Sequence, residues 1–362
     1  MRILVTGGAG FIGSAYTRAL LSGAHPASAD ADVTVLDKLT YAGNPANLAA
    51  VADHPRFRLV PGDIADAALV RELIDPGTVV VNFAAETHVD RSIADAESFV
   101  HTNVTGTHVL LEAALERRAG PFLQVSTDEV YGSIDTGSWT ERSPLSPNSP
   151  YAASKASADL LALSYFRTHG LDVRITRCSN NYGPYQHPEK LIPRFTTLLL
   201  DGRSVPLYGD GRHIRDWLHV DDHCRGIQLA LERGRAGEVY HIGGGTELTN
   251  SRLTRELLTA CGADWSAVRH VTDRKGHDRR YSLDDGRLRA LGYRPRVGFA
   301  EGLRATVDWY RTHPDWWDRS DGGALPADEP RRPSGGARNG ERRDTPCAAS
   351  SSPAARPPGS AR

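Results

Sequence analysis

No stretch of this chain approaches the roughly 18 consecutive apolar residues that a membrane helix needs. Charge of one sign is equally missing. The 43 lysines and arginines nearly cancel 44 acids, for a formal net charge of -1. No global field therefore draws the chain to nucleic acid or to an anionic membrane. Cysteine is scarce, and Cys178, Cys224, Cys261 and Cys347 form neither a CxxC pair nor a zinc-type spacing. No metal is expected, and a reduced, cytoplasmic setting is. Met1-Arg2 runs straight into Ile3-Leu4-Val5-Thr6, too short an apolar stretch for a signal peptide. What remains is ordinary globular material, 40% hydrophobic and 24% charged over 362 residues. That is enough for one large domain or two smaller ones.

The first patterned stretch, Ile3-Leu4-Val5 followed by Gly7, Gly10 and Gly13, reads strand, glycine turn, helix. Glycine at this spacing permits a tight turn, close backbone approach to a pyrophosphate, and close packing of helix on strand. The helix start then offers unpaired N–H groups to phosphate. Val33 to Asp37 is a second strand ending in an acid, 24 residues after Gly13. A carboxylate there suits ribose hydroxyls and repels a 2′-phosphate, which favours NAD over NADP. Phe57 to Val60 leads to Gly62-Asp63-Ile64, a third strand end that could meet an adenine. Thr78 to Glu86 reads as a fourth strand closing in small residues, and Ser98 to Arg117 as a helix. Strands alternating with helices predict an α/β fold, a Rossmann-type doubly wound parallel sheet.

A buried strand, Pro121 to Val125, is followed by Ser126-Thr127-Asp128-Glu129-Val130-Tyr131-Gly132. In open α/β sheets ligands sit beyond the carboxyl ends of the strands, so this acid pair falls where chemistry is done. Asp128 and Glu129 converge on one ligand only if the strand has ended before them, because strand side chains alternate. Tyr151 and Lys155 stand one turn apart on one face of a further helix. An ammonium near the phenol, with a cationic nicotinamide ring, favours phenolate and so a general base near neutral pH. Leu171 to Arg177 reads as another strand, ending in Ser179-Asn180-Asn181. The last apolar helical pattern runs through Leu303, Val307, Trp309 and Tyr310. From about Asp318 the chain is too poor in apolar residues to repay ordering, so 318–362 reads as disordered.

Taken together, GGAGFIG, LDKLTYAGN, NFAAETHVDRSI, STDEVYG, YAASKASAD, CSNNYGPYQ, PEKLIPRF, YGDGRHIRDWLHVDDH and DRKGHDRRYSLD resemble the extended short-chain dehydrogenase/reductase superfamily that acts on nucleotide sugars. The adjacent Asp-Glu points to its 4,6-dehydratase branch, since the related epimerases lack it. The resemblance implies bound NAD, dTDP-glucose as substrate, and a homodimer through helices near 98–117 and 151–167. It implies catalytic roles for Thr127, Asp128, Glu129, Tyr151 and Lys155. The cofactor would be held by Gly7, Gly10, Phe11, Ile12, Gly13, Asp37, Lys38, Thr40, Asp63, Ile64, Phe83, Ala84, Ala85, Thr102, Tyr151, Lys155 and Asn181. The sugar nucleotide would be held by Thr87, Thr127, Asn180, Lys190, Leu191, Pro206, Tyr208, Arg215, Asn250, Arg274 and His277. His187, His213 and Lys275 depart from the pattern, standing where an aromatic, an Asn and a Pro are expected. Residues 1–178 are thus expected to be mainly cofactor domain, and 179–317 mainly a substrate lobe with returns to the sheet. Three other readings share these features: a UDP-sugar 4-epimerase, which needs no acid pair, another NAD-dependent nucleotide-sugar enzyme such as a decarboxylase, and a non-catalytic NAD(H)-sensing protein.

Overall fold

The computed structural model describes residues 1–317; the expected disorder of 318–362 lies outside the described residues. Six β-rich segments open the fold: β1 (Arg2–Thr6), β2 (Asp32–Asp37), β3 (Phe57–Pro61), β4 (Val79–Asn82), β5 (Phe122–Thr127) and β6 (Val173–Cys178). Short strands β7 (Asn180–Tyr182), β8 (Val205–Tyr208) and β9 (Ile214–His219) precede β10 (Val239–Ile242), and β11 (Glu247–Thr249) and β12 (Val268–Val271) come last. The main sheet is parallel throughout, in the order β3-β2-β1-β4-β5-β6-β10. Its order reverses direction between β1 and β4, the position where such sheets open a ligand crevice.

The helices are α1 (Phe11–Leu21), α2 (Ala67–Leu73), α3 (Val89–Ala94), α4 (Ala96–Phe99), α5 (Thr107–Glu116), α6 (Pro150–His169), α7 (Leu191–Leu200), α8 (Val220–Arg233), α9 (Asn250–Cys261), α10 (Gly286–Ala290), α11 (Phe299–Thr312) and α12 (Pro314–Trp317). Apart from the edge strand β3, the strands of the main sheet are buried on both faces, and their side chains alternate between two cores. Ile3, Val5, Val33 and Val35 join Tyr16 and Leu20 of α1 and Ile227 and Leu231 of α8. Leu4, Leu36, Val80 and Phe122 join Val70 of α2, Leu110 and Leu111 of α5 and Ala162 of α6. Fully burying one such side chain contributes about 1.5–3 kcal/mol. A third core lies around Tyr182, Phe195, Leu198, Trp217, Leu253, Leu257 and Leu303. It holds together the segments that follow Cys178.

Two elements differ from expectation. The fourth strand stops at Asn82, so Phe83 to Glu86 leave the sheet. The helix expected over Ser98–Arg117 is interrupted by a π-helical turn at Val100–Gly106. The buried Asn103 sits in that turn. Its amide donates to Ser154 Oγ (2.8 Å) and to the Glu86 carbonyl (3.0 Å), and its Oδ1 accepts from Glu86 N (2.9 Å). The wider turn thus ties the β4 exit to α6. Helix α6 itself is well delimited. Ser149 Oγ accepts from Ala152 N (3.1 Å), Pro150 opens the first turn, and Gly170 ends the helix at φ +70°. No helix among the described residues is long and apolar enough to cross a membrane.

One buried group on α8 ties folding to pH. Both ring nitrogens of His223 are buried without a hydrogen-bond partner, and burial lowers its pKa from 6.5 to about 3. The unfolded chain therefore binds this proton first. The stability involved is complete above the unfolded value and is lost as pH falls from there toward 3. Urea unfolding at about pH 7 and about pH 5 should show wild type losing about 2 kcal/mol through this residue, and His223→Leu removing that part of the loss.

Candidate active site

The glycine loop between β1 and α1 admits no side chain at its two tightest points. Gly7 has φ +66°, and a Cβ there would lie 2.6 Å from Ala84 N. A Cβ on Gly13 would lie 2.4 Å from the Gly7 carbonyl oxygen. The loop is fixed from β2 as well. Asp37 accepts from Ala9 N (2.9 Å) and Leu39 N (2.8 Å), and burial still raises its pKa. Lys38 turns onto Asp63, with Nζ 2.7 Å from Oδ2, and so holds the pKa of that carboxyl down against its burial.

From this loop one continuous cavity runs along the carboxyl ends of the sheet. It is lined by all the expected cofactor residues: Gly7, Gly10, Phe11, Ile12, Gly13, Asp37, Lys38, Thr40, Asp63, Ile64, Phe83, Ala84, Ala85, Thr102, Tyr151, Lys155 and Asn181. Thr127, Asp128 and Glu129 line it too, with Thr87, Asn180, Lys190 and Leu191. The side-chain oxygens Oδ1 of Asn180 and Asn181 are buried and unpartnered, leaving acceptors for a ligand. Close backbone approach at the glycines, small residues at Ala84 and Ala85, and an acid at Asp37 fit a dinucleotide.

Pro206, Tyr208, Arg215, Asn250, Arg274 and His277 do not line this cavity. They form a neighbouring group on β8, β9, the start of α9 and the 273–278 segment. The buried Arg215 donates to the carbonyls of Ile214 (2.7 Å) and Asp278 (2.9 Å), and its guanidinium lies 4.3 Å from the Tyr281 ring centre. Among the described residues no carboxylate lies within ion-pair distance of it, so its charge is available to a ligand. Arg274 reaches Asp90 at 3.5 Å and lies 5.2 Å from the Tyr208 ring centre. His213, Asp273 and His277 bring one ligand-type atom each within 4.8 Å of the others. The two imidazoles are stacked face to face at 3.7 Å, so one ion cannot lie in both ring planes. The Arg215 and Arg274 charges disfavour a cation further and, added to burial, push His277 down to about 4.

The acid pair sits where β5 ends. Thr127 is its last residue and caps a 3-10 turn, Asp128–Tyr131, by accepting from Glu129 N at 3.2 Å. The same hydroxyl donates to Asp128 Oδ1 (3.2 Å), while Oδ2 is buried without a partner. Burial and then the Glu129 charge raise the Asp128 pKa well above its ordinary value. The pKa of the half-buried Glu129 is raised by burial, with Lys190 and Arg215 opposing. Lys190 Nζ is held on the Thr87 carbonyl at 2.9 Å. Two carboxyls in one place thus differ in how firmly each keeps its proton.

The expected lowering of the Tyr151 pKa combines Lys155 with a cationic nicotinamide ring; from the protein's own groups alone, burial and then the Glu129 charge raise that phenol well above 10. Lys155 Nζ instead donates to the Val125 carbonyl at 2.7 Å, and burial lowers its own pKa with Asp159 opposing. Several lining residues went unpredicted, including Glu86, Cys178, Ser179, Gln186 and Glu189. Glu189 was legible as the neighbour of Lys190, and Cys178 as the last residue of β6.

The matching family model, described as GDP-mannose 4,6 dehydratase, spans residues 4–306. The chain belongs to that family. A curated dTDP-glucose 4,6-dehydratase from Streptomyces niveus is 63% identical over 319 residues, 88% of this chain and 95% of the relative. The crystal structure of DesIV, a dTDP-glucose 4,6-dehydratase from Streptomyces venezuelae with NAD bound, is 65% identical. It superposes with a TM-score of 0.86 over 88% of this chain and 99% of that one. A UDP-glucose 4-epimerase from Thermotoga maritima is 31% identical, with a TM-score of 0.78, over 86% of this chain and 99% of that one. The architecture is therefore common to proteins named for both reactions.

The crowding at Gly13 yields a direct check. Gly13→Ala should weaken NAD binding by at least about tenfold, equivalent to about 1.4 kcal/mol, by calorimetric titration. Gly298→Ala, where a Cβ meets nothing within 4 Å, should leave it unchanged.

Proposed function

We propose that this protein dehydrates dTDP-glucose to dTDP-4-keto-6-deoxyglucose with bound NAD, as a hydro-lyase. The observation that carries the reading is the acid pair Asp128–Glu129 in the same cavity as Tyr151 and Lys155. Its identity to dTDP-glucose 4,6-dehydratases over nearly their whole length supports the substrate. The UDP-sugar 4-epimerase reading leaves the acid pair without a task, and an NAD(H)-sensing protein leaves the whole substrate side without one.

A C5 proton of a hexose is not acidic until its neighbour C4 is a ketone. Bound NAD, held by the Gly7–Gly13 loop and Asp37, would supply a reversible store for the hydride that leaves C4 and is needed at C6. Tyr151 accepts the C4 hydroxyl proton, aided by Lys155, while Thr127 hydrogen-bonds the C4 oxygen. Glu129 then takes the C5 proton. Asp128, the carboxyl held more firmly protonated, gives its proton to the departing C6 hydroxyl. Reprotonation at C5 completes a reaction with no net oxidation.

In this reading residues 1–178 mainly hold the cofactor and 179–317 mainly the nucleotide sugar. Arg215 and Arg274 meet the diphosphate, because guanidinium forks suit phosphate oxygens. Asn180, Lys190, Leu191, Thr87, Pro206, Tyr208, Asn250 and His277 complete the sugar-nucleotide contacts. The functional unit is a homodimer through the helical segments 98–117 and 151–167, where Val100 is 52% and Leu160 56% exposed. A cytoplasmic setting belongs to the same reading, since Cys178, Cys224 and Cys261 are free thiols.

Incubation with dTDP-glucose, followed by the alkaline absorbance of a 4-keto sugar, tests the proposal. Wild type should form it, and both Tyr151→Phe and Glu129→Gln should lower kcat by about 100- to 10,000-fold. Dehydration that survives Glu129→Gln would remove the role given to that residue. Interconversion of gluco and galacto sugars by wild type would favour the epimerase.

A further inference from the structure

Behind the acid turn lies a buried polar network that the chemistry above does not use. Asp159 falls on the same face of α6 as Tyr151 and Lys155, at successive four-residue steps. Its side chain is completely buried, and Arg177 beside it is 3% exposed. Asp159 Oδ2 accepts from Arg177 Nε at 2.8 Å and from Ser126 Oγ at 3.0 Å. Arg177 Nη1 donates to the Tyr131 hydroxyl oxygen at 2.6 Å, and that hydroxyl lies 2.6 Å from His241 Nε2. His241 Nδ1 lies 2.8 Å from the Asp284 carbonyl oxygen and therefore carries the ring proton. Nε2 is thereby left to accept from Tyr131. Burial pushes His241 down to about 3, consistent with a neutral ring in this role.

A buried ion pair is a weak source of stability, because lost hydration offsets much of its attraction. What this pair does is hold two points of one short segment. Ser126 is the penultimate residue of β5, just before the acid turn, and Tyr131 is the last residue of that turn. Asp159 grips the first directly and the second through Arg177. Gly132 follows at φ +76°, where a Cβ would lie 2.4 Å from the Ser146 carbonyl oxygen, so the chain beyond the turn is confined as well. The segment between these grips contains Thr127, Asp128 and Glu129.

We propose that Asp159, through Ser126 on one side and Arg177–Tyr131 on the other, is the positioning residue that fixes the acid turn against the Tyr151–Lys155 face of α6. The inference rests on the dehydratase reading and deepens it. Loss of the Tyr131 grip displaces Asp128 and Glu129, whereas Tyr151 and Lys155 stay anchored on α6. Elimination of water therefore suffers before the initial C4 oxidation does. A displacement of ångström size at reacting groups costs on the order of 100-fold in rate.

The test uses Tyr131→Phe in the full chain, mixed rapidly with dTDP-glucose. Near-ultraviolet absorbance follows the reduced cofactor, and quenched samples follow the 4-keto product. Thermal unfolding is measured in parallel. The expected result is product formation slowed by about 10- to 100-fold, KM little changed, and accumulation of reduced cofactor that wild type does not show. An unchanged product rate overturns the proposal. So does an equal fall in oxidation and elimination that tracks a loss of thermal stability. If Tyr131→Phe does not fold, Ser126→Ala, which cuts the other arm, must show the same accumulation or the proposal fails. Wild type that makes no 4-keto sugar would instead overturn the functional reading on which this one stands.

Discussion

Side chains alternate across a β-strand, so Asp128 and Glu129 would face opposite sides of the sheet if β5 ran through them. It does not, because Thr127 ends the strand and caps a 3-10 turn. That one change of backbone brings two carboxyls to the cavity that also holds Tyr151 and Lys155. The electrostatics follow from it. Burial raises the pKa of both carboxyls; the Glu129 charge adds to the rise at Asp128, while Lys190 and Arg215 oppose it at Glu129. Different neighbouring charges, rather than different residue chemistry, set the two carboxyls apart.

The surroundings serve that turn. The parallel sheet places every strand end on one side, and the reversal of order between β1 and β4 opens room for a dinucleotide. The glycine loop holds it close, but this architecture is shared with a UDP-glucose 4-epimerase and does not choose the reaction. Tyr151 shows how incomplete the protein alone is. Enclosure and the Glu129 charge raise its pKa, and a cation joining the cavity would favour the phenolate. The buried Asp159–Arg177–Tyr131 chain then supplies what the cofactor cannot, a fixed location for the acids.

Much of this was legible in the residues, and the limits have physical causes. Gly7, Gly10 and Gly13 are informative because only glycine tolerates such contacts, so the motif states its own geometry. The condition on the acid pair could be written from alternation alone. Its fulfilment could not, because a capping threonine at a strand end looks like any threonine. The Tyr131–Arg177 contact joins residues 46 apart, and neither alone signals a partner. The π-helical turn at Val100–Gly106 was hidden for a similar reason: Asn103 makes three bonds to distant groups, and apolar spacing does not register them. Arg215, Arg274 and His277 were named through resemblance. The structure gathers them beside the cavity rather than in its lining, and their roles remain tied to the proposed substrate.

The central claim is that one cavity moves a hydride from C4 to C6 of a single sugar while the acid pair exchanges the C5 proton. Deuterium labelling reads this directly. With dTDP-glucose deuterated at C4 and ordinary water, the account predicts a 4-keto product carrying the label at C6. In heavy water with unlabelled substrate it predicts solvent deuterium at C5. Mass spectrometry and proton resonance of the product locate both. Loss of the C4 label to solvent, or a C5 position that keeps its original hydrogen, would contradict it.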